Sequence, residues 1–216
     1  MKLAVFDCDG TLVDGQGSIC TAMEQAFAHA GLSAPDRHAI RRIVGLSLPH
    51  AVSRLLPRAN EAKVAEVVEA YKAAYRAARA SGELAEPLFD GIVPLLDHLR
   101  AAGWALGVAT GKSSRGLTHC LATHGLSDHF VTLQTADHHP SKPHPAMLEA
   151  ALAEAHADPA QAVMIGDTAY DMQMACSADV RAIGVDWGYH EADELRGAGA
   201  EWVASCPREL GEYLLK

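Results

Sequence analysis

No uninterrupted apolar run in this 216-residue chain approaches the ~20 residues that span a bilayer, so no membrane helix is expected. Paired cysteine motifs are missing as well. The five cysteines, Cys8, Cys20, Cys120, Cys176 and Cys206, are odd in number and scattered, which points to neither a disulfide framework nor a zinc site. The first residues lack the charged-then-apolar layout of a secretory signal, because Asp7 and Asp9 fall where the apolar segment would lie. A cytoplasmic location is the resulting expectation. Basic residues are outnumbered: 18 Lys/Arg against 27 Asp/Glu leave a net charge of −9, which argues against nucleic acid as the main partner. A Gly-x-x-x-x-Gly-Lys-Ser/Thr loop is absent, which argues against a P-loop nucleotide hydrolase. There is no internal repeat and no low-complexity segment beyond an alanine bias.

What is present is a chain of globular composition, 49% hydrophobic with a mean hydropathy of +0.01. It is long enough for one large domain, or for one domain with a small insert. Charge is distributed unevenly. Residues 15–85 carry nine Lys/Arg against six Asp/Glu, whereas the remainder carries nine against twenty-one. The same segment reads as all helix. One helix runs from Ser18 to Ala30, another opens at Pro35-Asp36, Gly45-Leu46-Ser47 breaks it, and a long Ala-rich helix covers Glu61 to Ala80.

On either side the pattern alternates. Strand Leu3–Phe6 precedes the helical segment. After it come helix Ile92–Ala102, strand Ala105–Ala109, a helix around Gly116–Gly125 and strand Phe130–Leu133. Helix Ala146–Ala157, strand Ala162–Ile165, helix Ala169–Ala178, strand Val180–Val185, a short strand Trp202–Ala204 and a helix near Pro207–Leu215 complete the series. Alternation of this kind predicts an α/β fold, a Rossmann-like doubly wound parallel sheet, with an inserted all-α cap subdomain. The expected division is a discontinuous core, 1–14 and 86–216, and a helical cap, 15–85.

Ligands of such sheets bind beyond the carboxyl ends of the strands. There the sequence places Asp7 and Asp9 after the first strand, Thr110-Gly111-Lys112 after the second, Lys142 beyond the third, and Gly166-Asp167-Thr168 with Asp171 after the fourth. Gly10 permits the close turn that lets Asp7 and Asp9 converge. Two carboxylates ~4 Å apart repel by ~4 kcal/mol at an effective dielectric of about 20, so the pair calls for a cation, a shared proton or chemistry that uses both acids. Each element alone has a plainer reading: a turn, a helix cap, or a solvated lysine. Together they aim carboxylates, a hydroxyl and an ammonium at one point. With up to three negative charges from Asp7, Asp9 and Asp167 against Lys142, a hard divalent cation such as Mg²⁺ would balance the site, and phosphoryl transfer is the chemistry these parts serve.

The chain resembles the haloacid dehalogenase superfamily, in its phosphoglycolate-phosphatase-like branch with a helical cap after the first strand. The resemblance rests on Asp7-Cys8-Asp9-Gly10-Thr11-Leu12-Val13-Asp14, Thr110-Gly111-Lys112, Lys142-Pro143-His144-Pro145 and Gly166-Asp167-Thr168-Ala169-Tyr170-Asp171. It implies that Asp7 is the nucleophile forming an aspartyl-phosphate and that Asp9 is the general acid and base. Thr110 and Lys142, with Gly10 and Gly111, would hold the phosphoryl oxygens. Asp7, the Asp9 carbonyl and Asp167 would bind Mg²⁺, with Thr11 supporting. Asp171 would either reach the metal through water or orient Lys142. The cap loop Gly45-Leu46-Ser47 would approach a small phosphorylated metabolite. The acid at position 9 sets the chain apart from dehalogenases. A β-phosphoglucomutase-like mutase shares that acid, and a receiver-like phosphorylation switch is the rival from another class. Arg37, Arg41 and Arg42 would meet a second anionic group or form a solvated face. His138, His139 and His144 read as loop histidines, and Cys8 as a small buried hydrophobe.

Overall fold

A computed structural model describes residues 1–216. Strand β1 (Leu3–Phe6) is followed by α1 (Gln16–His29), α2 (Arg37–Arg42), α3 (Leu48–Leu55) and α4 (Glu61–Ser81). Then come α5 (Ile92–Ala101), β2 (Ala105–Thr110), α6 (Ser114–Thr123), β3 (Thr132–Thr135), α7 (Ala146–Glu154), β4 (Ala162–Gly166) and α8 (Ala169–Ser177). The chain finishes with β5 (Arg181–Val185), α9 (Ala192–Gly197), β6 (Trp202–Ala204) and α10 (Pro207–Leu214). No helix is long and apolar enough to cross a membrane.

All six strands join one parallel sheet in the order β3-β2-β1-β4-β5-β6. The α/β, Rossmann-like doubly wound sheet expected from the alternating pattern is the fold observed. Its double winding follows from side-chain alternation along the strands. Ala4 and Phe6 of β1, with Leu106, Val108, Val163 and Ile165, face a core shared with α5, α6 and α10. Leu3 and Val5, with Ala105, Ala109 and Met164, face the opposite core, built with α7 and α8. Both surfaces of the sheet are thus apolar and covered, which a parallel sheet requires. Because β1 is flanked by β2 and β4, connections leave it in opposite directions, and a crevice opens at the carboxyl end of β1.

Helices α1–α4 pack on one another around a third core that includes Ile19, Met23, Phe27, Ile40, Val52 and Val67. The chain leaves and re-enters the sheet side by side: the Asp14 amide donates to the Pro87 carbonyl at 2.8 Å, and Val13 bridges to Leu88.

Two elements differ from the sequence expectation. Strand β3 starts at Thr132 rather than Phe130, because Phe130 turns down against the core while pairing with β2 begins at Gly107 and Thr132. Helix α9 was not anticipated. Its N-cap is Glu191, which forms a capping box with Glu194 in place of the usual Ser, Thr, Asp or Asn signal.

Candidate active site

Asp7 is the residue directly after β1, and its amide still donates to the Ile165 carbonyl of β4 at 2.9 Å. The side chain is fully buried. Oδ1 accepts from the Cys8 amide at 2.7 Å and pairs with Lys142 Nζ at 3.0 Å, whereas Oδ2 is buried with no partner. Lys142 is itself wholly buried and also donates to Asp171 Oδ1 at 2.6 Å. Asp167, after β4, accepts from the Thr11 hydroxyl at 2.8 Å on Oδ1 and from the Tyr189 amide at 2.9 Å on Oδ2.

The carboxylates of Asp7, Asp167 and Asp171 lie within 4.8 Å of one another, all buried. Lys142 is the one ammonium paired with this group, and it touches Asp7 and Asp171. Burial pushes the Asp7 carboxyl up to about 7 despite Lys142. Burial, then Asp7 and Asp171, drive Asp167 well above the carboxylate range. These carboxylates are short of positive charge. The close approach of the Asp7 and Asp167 carboxylates fits a hard, oxygen-seeking cation, which would hold both acids ionised. Asp171 has less to offer a metal. One oxygen takes Lys142, and the other takes the Thr168 amide and hydroxyl in the capping box of α8. Its contacts orient Lys142 and start the helix.

Gly10 has φ +86°, and a Cβ there would collide with the Asp167 carboxylate and the Tyr189 ring. Glycine at this position lets the turn pass directly over Asp167. Gly111 is needed for a different close approach: a Cβ would strike the carbonyls of Gly45 and Leu46. The loop between α2 and α3 therefore rests on the end of β2, and Ser47 fixes it by donating from its amide to Ser141 Oγ at 2.9 Å. Gly45, Leu46 and Ser47 line, together with Asp7, Asp9 and Thr110, a cavity of about 500 Å³ between the helices and the sheet edge. Arg37, Arg41 and Arg42, for which the sequence left open a second anion or a solvated face, do not line it. Arg37 is spent on Glu24, Arg41 reaches Gln16, and Arg42 makes a two-pronged pair with Glu194 on α9. The cations at the cavity are instead Lys72, Arg76 and Arg79 of α4, with Lys112 and Arg115.

Asp9 is turned away from the three-carboxylate group. Its Oδ1 pairs with Lys112 Nζ at 2.9 Å, and the same ammonium pairs with Glu86 at 2.7 Å. Sequence reasoning quoted Lys112 within its motif but gave it no role, since a lysine after a strand is usually solvated. Glu86 and Tyr189 were missed altogether. The Tyr189 hydroxyl is buried without a partner, and Trp187 of the same loop donates to the Thr11 carbonyl at 3.1 Å. No local pattern announces this loop, whose Gly188 lets the backbone pass against Asp167. Cys8 packs in the core, its thiol pushed well up by Cys120 and by burial, which leaves it an apolar filler. His139 bonds Gln134 and His144 accepts from the Ala146 amide, so these histidines serve their loop.

The haloacid dehalogenase-like hydrolase family model matches residues 4–185, most of the chain, from β1 through β5. The chain belongs to this family. It is 37% identical over 211 residues to a probable phosphatase, IndB, of Dickeya dadantii, covering 96% of this chain and 91% of that one. A phosphoglycolate phosphatase of Vibrio vulnificus is 26% identical over 223 residues, covering 100% and 96%. Among solved structures, a predicted phosphatase from Clostridium acetobutylicum superposes with a TM-score of 0.89 at 25% identity, covering 99% and 98%. The haloacid dehalogenase-like fold and the phosphoglycolate-phosphatase-like branch follow, and with them a hydrolase of the phosphatase type.

Proposed function

We propose that the chain is an Mg²⁺-dependent phosphomonoesterase that acts on small phosphorylated metabolites through an aspartyl-phosphate on Asp7. The observation that carries this is the asymmetry of Asp7: one oxygen is clamped by Lys142 and the Cys8 amide, and the other is buried without a partner. A carboxylate held in one orientation with one free oxygen is a positioned nucleophile. That oxygen attacks phosphorus, and the bond to the ester oxygen breaks. Asp9 gives a proton to the leaving alkoxide, then takes one from the water that cleaves the acyl phosphate. Lys142, Thr110 and the backbone at Gly10 and Gly111 hold the phosphoryl oxygens. Asp7, Asp167 and the Asp9 carbonyl would hold Mg²⁺, which supplies positive charge against the phosphoryl oxygens. Residues 15–85 act as a cap over a core of 1–14 and 86–216, excluding water from the 500 Å³ cavity.

Phosphate release from a panel of small phosphomonoesters tests this, with Mg²⁺ or a chelator, for wild type and Asp7→Asn. Release that needs the metal and is lost in a folded Asp7→Asn protein is the expected result. Release that survives Asp7→Asn would remove the covalent mechanism. A folded wild type that cleaves no ester would remove the phosphatase reading.

A further inference from the structure

The Asp9 side chain sits in a chain of polar contacts that the phosphoryl site does not need. Lys112 Nζ lies 2.9 Å from Asp9 Oδ1 and 2.7 Å from Glu86 Oε1. The Tyr75 hydroxyl donates to the same Glu86 oxygen at 2.6 Å, and Lys112 stands 5.7 Å from the Tyr75 ring centroid. The side chains of Lys112, Asp9 and Glu86 are 8%, 11% and 7% exposed, so solvent screens none of these contacts strongly.

The chain spans three separate parts of the fold. Lys112 follows β2, Asp9 follows β1, and Tyr75 lies on α4 of the helical block. Glu86 stands where the chain returns from that block, next to the strand-like crossing of Val13 and Leu88. Gly15 completes the crossing: a Cβ there would lie 3.0 Å from Asp9 Oδ1 and 3.8 Å from Glu86 Oε1. The contacts therefore sit on the pair of strands about which the helical block would swing.

We propose that Lys112 is a positioning residue for Asp9 and that Glu86 and Tyr75 make its placement depend on α4 being seated. This rests on Asp9 being the acid of the proposed phosphatase. Lys112 holds Oδ1, which leaves Oδ2 to carry the proton to the departing oxygen. Glu86 takes a share of the ammonium, so Lys112 does not lie wholly against Asp9, and the Tyr75 hydroxyl keeps Glu86 in place. If α4 withdraws, Tyr75 leaves Glu86, and Lys112 and Asp9 lose their fixed geometry. The acid is then in register only when the cavity is covered, which confines proton donation to a water-poor site.

The test is the leaving-group dependence of kcat/KM, which reports steps through cleavage of the ester bond. Glycerol 2-phosphate has a basic leaving alkoxide that needs a proton, whereas 2,4-dinitrophenyl phosphate has a leaving group that does not. Lys112→Met is expected to lower kcat/KM about 100-fold for the alkyl ester and less than about tenfold for the aryl ester. Lys112→Arg should recover part of the alkyl activity. Tyr75→Phe removes only a hydroxyl from the far end of the chain and should show the same bias at about three- to tenfold, so the question stays answerable if Lys112→Met does not fold. Equal losses on both esters would mean that Lys112 binds phosphate or supports the fold, and the positioning role would be overturned. Unchanged kcat/KM on the alkyl ester in both variants would overturn it too. A wild type that cleaves neither ester would instead remove the phosphatase reading on which the role rests.

Discussion

Lys142 illustrates how much one buried charge carries. It is fully enclosed and bonded to Asp7 and Asp171, so removing it strands two carboxylates without a cation. Lys142→Met should cost about 3–5 kcal/mol in metal-free protein, measured by urea unfolding, and should abolish turnover. The acids also fix how stability varies with pH. Asp7 is raised from 3.8 to about 7 in the folded chain, so folding takes up protons and the contribution is fully present below 3.8. It is lost as pH rises through about 7. In chelator, the thermal midpoint should fall as pH rises from 3.8 to about 7 on this account, and saturating Mg²⁺ should cancel the fall while adding ~2.7 kcal/mol at a hundredfold excess over Kd. A midpoint indifferent to Mg²⁺ would count against a metal at these carboxylates. Individual acids such as Asp7, Asp9 and Asp167 were legible because charged residues directly after apolar strands have few other reasons to be there. The Asp9–Lys112 pair was not legible. It depends on how two side chains 103 positions apart are rotated, and the same letters would suit a solvated lysine.

Among the elements, α4 combines two tasks on one face. Tyr71, Lys72, Tyr75, Arg76 and Arg79 recur at helical spacing and line the cavity, while Val67 and Val68 are buried in the helical core. Arg79 is set apart by a buried Nε without a partner, its guanidinium 6.0 Å from the Tyr75 ring centroid. Arg76, Arg79 and Arg115 take part in no ion pair. Arg79→Leu should therefore narrow the preference for a carboxylated ester over its neutral counterpart, 3-phosphoglycerate against glycerol 3-phosphate, by about tenfold in kcat/KM, since a charge-assisted contact is worth ~1.5 kcal/mol or more. An unaltered ratio would place Arg79 outside the substrate's reach. The long helix itself was readable from alanine content and the Gly82 stop, which adopts φ +76°. Which arginines face the cavity was not. Arg37, Arg41 and Arg42 are the same residue type as Arg76 and Arg79, and only the packing of the helices decides which arginines are consumed by Glu24, Gln16 and Glu194.

Across the whole molecule, the helical block is fastened to the sheet domain from several directions. Arg42 pairs with Glu194, its carbonyl accepts from Tyr170 at 3.1 Å and lies 3.3 Å from His190, and Ser47 holds Ser141. The Arg42 and Glu194 side chains are 35% and 40% exposed, so the pair should add less than about 1 kcal/mol to stability. Glu194→Gln is accordingly expected to shift the thermal midpoint little, while raising KM if the pair helps keep the block seated. The arrangement of sheet and helices followed from periodicity because each strand is a short apolar run with a helix behind it. The start of β3 did not, since Phe130 is as apolar as a strand residue but spends its side chain on the core.

The position of β1 has a consequence for how the protein is made. Leu3 pairs with Ala105 on one side and Ala162 on the other, so the strand that presents Asp7 emerges first and finds its second neighbour only after some 160 residues have followed. Until then the edge of β1 that faces β4 has nothing to pair with, a situation that slows folding and invites association with other chains. A version ending at Asp158, before β4, should be captured by a chaperone or aggregate, whereas extension through β5 should restore solubility, as measured by the fraction left in the supernatant. The strand that carries the active-site aspartate is thus the first made, yet it is secured on both sides only when β4 arrives.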